Sequence, residues 1–233
     1  MRLESPSDLI QGARRHEAVR RNFNVQEYQP TGGRVKRVVD LFICLFAVLL
    51  LLPLLAGLAL LIKMDGGGPI FYGHRRVGYR GRHFRCWKFR TMVVNGDAVL
   101  QKYLADNPEE RSIWFTQRKL RNDPRVTPLG RVLRKLSLDE LPQIINVLIG
   151  EMSFVGPRPI VDAELAMYRS SAGHYLRNRP GITGLWQVSG RSDTSFTRRI
   201  ALDRLYSQRW TVLADLRVLV WTIPAVVFAK GAH

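Results

Sequence analysis

Two adjacent acids, Asp139 and Glu140, are the residues of this chain that are best suited to chemistry. They lie in residues 133–143, which read LRKLSLDELPQ and predict a helix from about residue 139 to residue 150. The N-terminal end of a helix carries partial positive charge, which favours ionised carboxylates. An ionised carboxylate beside a second acid that can hold Mg²⁺ suits attack on a phosphoryl group.

A capping role for the same acids remains open, because helix starts collect acidic residues. Ser137 and Glu140 have the spacing of a capping box. Pro142 weakens this interpretation, since with Ser137 as the N-cap it would delete an intrahelical hydrogen bond. With Asp139 as the N-cap, Pro142 falls in the first turn, where a missing N–H is harmless.

Arginines in rigid loops are a second sign of phosphate chemistry. Residues 156–159 read GPRP and hold Arg158 between two prolines, and residues 179–191 are glycine-rich and end at Arg191. An arginine in a rigid setting is the usual device for bidentate phosphate binding. Residues 88–92 (KFRTM) and 123–125 (DPR) add further basic side chains at the ends of elements. Any one of these arginines could also be ordinary surface charge.

A small mixed domain must position these side chains. Residues 70–72 and 83–89 predict short strands around a turn at Gly78 and Gly81. Apolar periodicity predicts the helices, at residues 96–120, 129–136, 139–150, 195–209 and 213–228. Residues 154–159 and 178–191 are expected to be irregular. The last helix is too short to cross a bilayer, so we expect it on a membrane surface or in the core.

Residues 41–62 form a run of 22 residues without a charge, long enough to cross a bilayer core of roughly 30 Å. Pro53 lies near its middle. Basic side chains lie on both sides, at Arg34, Lys36 and Arg37 before it and at Lys63, His74, Arg75 and Arg76 after it. The positive-inside rule therefore favours a hairpin with both flanks in the cytoplasm. A spanning helix with a proline kink is the alternative.

The composition indicates an anionic partner. Lys and Arg number 36 and Asp and Glu 19, so the net charge is 36 − 19 = +17. Nucleic acid, anionic lipid headgroups or a phosphorylated substrate would each fit. The sequence shows neither a DNA-reading helix nor an RNA-binding sheet, which disfavours a membrane-tethered nucleic-acid-binding protein. Two cysteines, Cys44 and Cys86, provide no disulfide framework. A non-catalytic scaffold is a third class.

These motifs together resemble the bacterial sugar transferases, the monotopic polyprenyl-phosphate phosphoglycosyl transferases. The resemblance extends from about Lys36 to the C-terminus and is greatest to the exopolysaccharide-type undecaprenyl-phosphate galactose phosphotransferases. The motifs that carry it are KR..D at residues 36–40, FYGHRR at 71–76, KFRTM at 88–92, DPR at 123–125, LDELPQ at 138–143, VGPRP at 155–159, RPGITG at 179–184, GR at 190–191 and KGA at 230–232.

The resemblance implies a two-step mechanism. By this resemblance, Asp139 attacks the β-phosphate of a UDP-sugar and expels UMP. Undecaprenyl phosphate then takes the sugar phosphate from Asp139, while Glu140 holds Mg²⁺. Galactose-1-phosphate is the expected group, with glucose-1-phosphate as the alternative. The substrate- or phosphate-binding positions taken from the motifs are Lys88, Arg90, Arg134, Arg158, Gln187 and Arg191.

The same resemblance implies an α+β, mostly helical fold. We expect a polar arm at residues 1–33, a re-entrant membrane helix at 34–64 broken at Pro53, and a small cytoplasmic catalytic domain with interfacial amphipathic helices at 65–233. The family's break is Ser-Pro, and here it reads Leu52-Pro53. The expected location is the cytoplasmic face of the bacterial inner membrane. Anionic lipid headgroups are expected partners and nucleic acid is not, and a homo-oligomer is compatible with the sequence.

Overall fold

One long apolar helix lies against a small mixed α/β body. The structure, a computed structural model, describes residues 28–117, 120, 122–190 and 194–227, so residues 1–27 of the expected polar arm lie outside it. The helices of eight or more residues are α1 (Gly33–Met64), α2 (Gly96–Asp106), α3 (Pro108–Gln117), α4 (Pro128–Lys135), α9 (Phe196–Gln208) and α10 (Val212–Val227). The shorter ones are α5 (Gln143–Ile149), α6 (Asp162–Met167), α7 (Ala172–Leu176) and α8 (Leu185–Val188).

Two small sheets form the centre of the body. Strands β1 (Phe71–Val77) and β2 (His83–Phe89) form an antiparallel hairpin in which Tyr72 lies opposite Lys88. Strands β3 (Ser153–Val155) and β4 (Gly181–Thr183) pair in parallel. Gly181 is required by this pairing, because a Cβ there would lie 2.2 Å from the backbone nitrogen of Gly156.

A narrow stripe of α1 packs against the body along the whole helix. Cys44, near the start, joins a buried cluster with residues of β2 and α5, and Leu58 and Ile62 join another with Phe89 and Leu133. Such a stripe follows from the helical period of 3.6 residues. Most other apolar side chains of α1 are exposed, among them Phe42, Leu45, Phe46, Leu49, Leu50, Leu52, Leu60 and Leu61. Within the described ranges, α1 is the one helix long and apolar enough to cross a membrane.

Buried charges fix the beginning of α1. Lys36 Nζ donates to Asp215 Oδ2 of α10 at 2.6 Å, and both side chains are buried. Tyr206 and Trp210 donate to the same carboxylate, at 2.8 and 2.9 Å. Removing one member of a buried, hydrogen-bonded charge pair is strongly destabilising, so this contact defines where α1 meets α10. Arg37 adds a second contact, donating to the carbonyls of the last turn of α5.

Arg90 holds the other end of α1. Its guanidinium donates to the carbonyl oxygens of Ile62 and Asp65, each at 2.8 Å, and to that of Gly67. The last carbonyls of a helix have no partner within the helix, and a planar guanidinium can bind several of them at once. Arg90 directly follows β2, so it ties the end of α1 to that strand.

The chain segments on the two sides of α1 also contact one another. The Tyr28 carbonyl accepts hydrogen bonds from the Tyr79 hydroxyl and from Arg80, whose Nη2 lies 2.8 Å away. The Thr31 backbone N–H donates to the Arg177 carbonyl at 3.1 Å. Residues before α1 and residues after it therefore belong to one body.

The mostly helical architecture with a few strands and one long apolar helix is confirmed, but several details differ from the sequence prediction. The expected helix at residues 139–150 begins only at Gln143, and the segment 96–120 contains two helices, α2 and α3. The segments 154–159 and 178–191 were expected to be irregular, yet β3 reaches into the first and β4 and α8 lie in the second. Strands of three residues are too short for a periodic signal. The re-entrant membrane hairpin remains a prediction, because α1 is a single helix with Pro53 inside it.

Replacing Arg90 with Lys should destabilise the protein, because a single ammonium cannot bind three carbonyls. Each hydrogen bond to a charged group contributes about 1.5–3 kcal/mol, so a fall in the thermal midpoint of several degrees is expected. The measurement is thermal unfolding in detergent micelles. Arg85→Lys, at an exposed position on β2, is the matched control. Equal midpoints for the two variants would contradict the capping role.

Candidate active site

The two acids lie on a tight turn between two helices. Leu138–Glu140 form a single 3₁₀ turn, and the preceding residue, Ser137, has a left-handed backbone (φ 57°). Leu138 and Leu141, on either side of the acids, pack into the cluster that contains Leu58 and Ile62 of α1. Neither predicted cap is found, because Ser137 and Asp139 both precede the α-helix and Pro142 occupies its N-cap position. Packing on α1, rather than a helix start, therefore sets the position of the acids.

Lys88 lies between the two carboxylates. Its Nζ donates to Glu140 Oε1 at 2.6 Å and is 3.8 Å from Asp139 Oδ2. Lys88 extends from β2, and the hairpin partner β1 fixes that strand. Arg134, at the end of α4, donates from Nε to Thr91 Oγ1 at 2.9 Å and is otherwise exposed. The predicted residues Lys88, Asp139 and Glu140 thus meet in one place.

The environment separates the pKa values of the two acids. Burial raises the pKa of Asp139, and the charge of Glu140 raises it further, against the opposing charges of Lys88 and Arg134. Burial acts in the same direction on Glu140, but the charge and hydrogen bond of Lys88, together with Arg158, lower the pKa of Glu140 below its ordinary value. Glu140 is therefore the more firmly ionised acid, and Asp139 is the more basic one.

An open cleft of ≈ 50 Å³ lies beside these acids. It is lined by Arg76, Cys86, Lys88, Glu140, Gln143, Arg158, Pro159, Gly181, Ile182 and Gln187. Four predicted site residues therefore share one cleft, namely Lys88, Glu140, Arg158 and Gln187. Arg158 is exposed between the buried Pro157 and Pro159, as its proline-flanked motif predicts.

Three of the described predicted residues do not line the cleft, and one of them is Asp139, which lies beside it. Arg90 is directed to the end of α1, which gives it a capping role in place of the predicted phosphate contact. Arg134 binds Thr91 near Asp139. Arg191 lies outside the described residues, so its predicted phosphate role stays a prediction.

Arg76 and Gln143 line the cleft but were not among the predicted site residues. Arg76 alternates with Tyr72 and His74 on one face of β1, so the strand period of two and the hairpin register could have placed it with Lys88. Its Nη2 donates to His74 Nδ1 at 3.0 Å. Burial and the nearby cations lower the pKa of His74 to about 4, so the ring is neutral and adds no charge.

Cys86, which lines the cleft, is a second candidate nucleophile. Burial raises the pKa of its thiol to about 11, which outweighs the lowering effect of Lys88. A thiol with that pKa is almost fully protonated at neutral pH, and the thiolate is the reactive form. Cys86 is therefore a packing residue, and Asp139 remains the better nucleophile.

A magnesium ion fits this site only together with a phosphorylated ligand. Among the residues that the structure describes, no group of three or more His, Cys, Asp or Glu side chains could hold a metal ion. Glu140 is the one carboxylate among the residues that line the cleft. Mg²⁺ is commonly bound by one or two carboxylates together with substrate phosphates and water. Glu140 and a bound diphosphate would supply that donor set.

Comparison with known proteins agrees with this arrangement. Residues 31–229 match the family described as bacterial sugar transferase. The chain is 54% identical over 205 residues to the exopolysaccharide production protein ExoY of Sinorhizobium fredii, covering 88% of this chain and 91% of that protein. It is 46% identical over 199 residues to an undecaprenyl-phosphate galactose phosphotransferase of Salmonella typhimurium, covering 85% of this chain and 42% of that protein.

The name of a more distant relative indicates a different sugar. The UDP-glucose:undecaprenyl-phosphate glucose-1-phosphate transferase of Xanthomonas campestris is 37% identical over 206 residues, covering 85% of this chain and 40% of that protein. The family match covers the apolar helix, both acids and the cleft. It confirms the resemblance that the motifs indicate: the chain belongs to the bacterial sugar transferase family.

Proposed function

We propose that this transferase moves a sugar-1-phosphate, galactose-1-phosphate in particular, from a UDP-sugar to undecaprenyl phosphate, as the first membrane step of exopolysaccharide assembly. The relatives whose names state an undecaprenyl-phosphate sugar transfer support the reaction class, and the galactose enzyme is the more similar one at 46% against 37% identity. The observation that carries the proposal is the contact of Lys88 with both Asp139 and Glu140 at the edge of a cationic cleft.

In the first step, an Asp139 carboxylate oxygen attacks the β-phosphorus of the UDP-sugar. The new O–P bond replaces the bond from that phosphorus to the bridging oxygen, which leaves with UMP together with its electron pair. The result is an acyl phosphate, a mixed anhydride of the Asp139 carboxyl group and the sugar phosphate. In the second step, a phosphate oxygen of undecaprenyl phosphate attacks the same phosphorus, and the Asp139 carboxylate leaves. The products are UMP and the lipid diphosphate sugar, and no oxidant or reductant is needed.

The separated pKa values suit these two acids to different roles. A carboxylate with a raised pKa is a better electron-pair donor when it is ionised, which fits Asp139 as the nucleophile. Glu140, with a lowered pKa, stays charged throughout and can hold a cation. Lys88 contacts both and can neutralise charge that develops on the transferred phosphoryl group.

Arg76, Arg158 and Glu140 would organise the diphosphate. The two arginines line the cleft with Lys88, so three cationic side chains face one bound anion. Glu140 is the residue that would hold Mg²⁺, which when bound neutralises diphosphate charge and aids departure of UMP. The cationic side chains bind and orient the same oxygens, which holds the β-phosphorus near Asp139.

For the apolar helix we propose a monotopic placement, in which α1 enters the bilayer and returns to the same face. The contacts between Tyr28 and Arg80 support it, because a spanning helix would place those residues on opposite sides of the membrane. The exposed apolar side chains of α1, with Leu213, Leu216, Val220, Trp221 and Ile223 of α10, supply a surface for lipid. The positive flanks of α1 support a cytoplasmic location for this face, which is also the side on which a UDP-sugar would be supplied.

Replacing Asp139 with Asn should abolish lipid-linked product, with a loss of at least about a thousandfold, because an amide cannot form the acyl phosphate with the sugar phosphate. The measurement is UMP release and labelled lipid in purified membranes with UDP-galactose. Asp106→Asn, at an exposed position on α2, is the control and should retain activity. Lipid product at the wild-type rate from the Asp139 variant would contradict the assigned nucleophile.

Replacing Lys88 with Met should move the acid limb of the pH–rate profile to higher pH. Lys88 lowers the pKa of Asp139, so its loss raises that pKa and leaves less of the ionised nucleophile at a given pH. The profile of kcat/KM for the UDP-sugar reports this shift. Lys135→Met, an exposed lysine on α4, is the control. A profile that only falls in amplitude would limit Lys88 to binding.

Cysteines introduced at Gln29 and at Arg82 should react with a membrane-impermeant thiol reagent from the same side of the membrane. The two exposed positions flank α1, before and after it. In intact cells, both should be protected, and both should be labelled after permeabilisation. Labelling of one position alone in intact cells would show that α1 spans the bilayer.

A further inference from the structure

Two buried amide oxygens in the cleft lack a hydrogen-bond partner. Gln143, at the start of α5, is only 3% exposed, and Gln187 lies on α8. Both line the cleft, and the Oε1 atom of each is buried with no partner. A buried acceptor left without a donor costs about 1–3 kcal/mol, so in the working enzyme a donor in the cleft is expected to reach these atoms.

The other end of each amide fixes which atom is free. Gln187 Nε2 donates to the Ile182 carbonyl at 3.0 Å. Gln143 donates to the Glu140 carboxylate, a bond that helps to lower the pKa of Glu140. Rotating either amide by 180° would place its oxygen against the Ile182 carbonyl or the Glu140 carboxylate, which are both acceptors. In both side chains the amide oxygen is therefore the atom that remains available.

A neighbouring glycine keeps Gln187 in this orientation. A Cβ at Gly184 would lie 2.9 Å from Gln187 Oε1 and 2.2 Å from the Gly156 carbonyl oxygen. The absence of that side chain lets the amide oxygen pack closely against the backbone of the β4–α8 connection. The position of this acceptor is therefore set by the loop and not by a flexible side chain alone.

The free acceptors cannot bind phosphate, since phosphate oxygens are acceptors too. Arg76, Lys88 and Arg158 already offer N–H donors in the same cleft. The cleft thus combines cationic donors, which suit the diphosphate, with neutral acceptors, which suit O–H or N–H groups. A UDP-sugar carries such groups only on its sugar, its ribose and the uracil N3.

We propose that Gln143 and Gln187 form an acceptor pair that binds hydrogen-bond donors on the uncharged part of the sugar nucleotide. The inference rests on the proposed function and narrows it, assigning Gln187 to the recognition of donor groups instead of phosphate. The shared ligand chemistry is a hydroxyl or imide N–H group. Because a polar site rejects analogues that leave its groups unpaired, the pair is a determinant of donor specificity.

The test compares Gln143→Met and Gln187→Met with the wild type and with Gln208→Met, an exposed glutamine at the end of α9. Methionine is similar in length and accepts hydrogen bonds only weakly. Each cleft variant should lose roughly 5- to 100-fold in kcat/KM for UDP-galactose, the range that corresponds to one lost buried hydrogen bond. The Gln208 variant should match the wild type.

Inhibition by UMP separates the two sources of the donor group. A sugar hydroxyl as the partner predicts an unchanged inhibition constant for UMP in the affected variant. A ribose or uracil partner predicts that this constant rises by the same factor as the loss in kcat/KM. Either result supports the acceptor pair and assigns its ligand.

UDP-galactose analogues that each lack one hydroxyl provide a second test, the first part of which uses the wild type alone. If a sugar hydroxyl is the partner, the analogue that lacks it should be a poorer substrate than UDP-galactose for the wild type. The variant should turn over this analogue and UDP-galactose with the same kcat/KM. Unchanged kcat/KM and unchanged UMP inhibition in both variants would overturn the proposal. Recovery of full activity at high Mg²⁺ would also overturn it by assigning the amide oxygens to the metal.

The wild type keeps this test separate from the proposed function. If the wild type releases no UMP from any UDP-sugar, the proposed reaction itself fails. If the wild type turns over and the two glutamine variants match it, only the acceptor pair fails.

Discussion

Three consecutive residues, Lys88, Phe89 and Arg90, fix the distance between the apolar helix and the acids. Lys88 contacts Asp139 and Glu140, Phe89 packs with Leu58 and Ile62 of α1, and Arg90 binds the carbonyls at the end of the same helix. The 3₁₀ turn that carries the two acids packs on α1 as well, through Leu138 and Leu141. Chemistry and apolar surface are therefore built on one rigid unit, so a water-soluble donor and a lipid-held acceptor can meet at one depth.

The electrostatics of the cleft follow from how few acids it contains. Arg76, Lys88 and Arg158 line it with Glu140 as the one lining carboxylate among the residues described. The charge and hydrogen bond of Lys88, with Arg158, keep Glu140 ionised, whereas burial and the charge of Glu140 raise the pKa of Asp139. The two adjacent acids thus differ because of their surroundings and not because of their chemical type. A bound diphosphate would balance the remaining positive charge.

The sequence predicts the chemistry of this site better than its local geometry. Residue type and motif identify the acids, Lys88 and Arg158. Short sequence patterns, which local interactions determine, identify the β1–β2 hairpin and α4. The 3₁₀ turn at Leu138–Glu140 is not predictable in this way, because packing of two leucines on α1 and a left-handed Ser137 decide it. Arg90 lies in the same basic motif as Lys88, and only the three-dimensional path of α1 reveals that it caps a helix.

The hydropathy of α1 and the long-range contacts at its two ends together constrain how this helix can lie in a membrane. Hydropathy alone allows α1 to cross a bilayer, and its length of 32 residues does not decide the matter. The buried pair of Lys36 with Asp215 and the capping of the far end by Arg90 bind both ends to the same body. A bilayer between those ends would have to break one of these contacts and leave unpaired charge in a low-dielectric region, at a cost of several kcal/mol. The exposed side of α1 can instead enter lipid while both ends stay attached, which is the geometry that a membrane-face transferase requires.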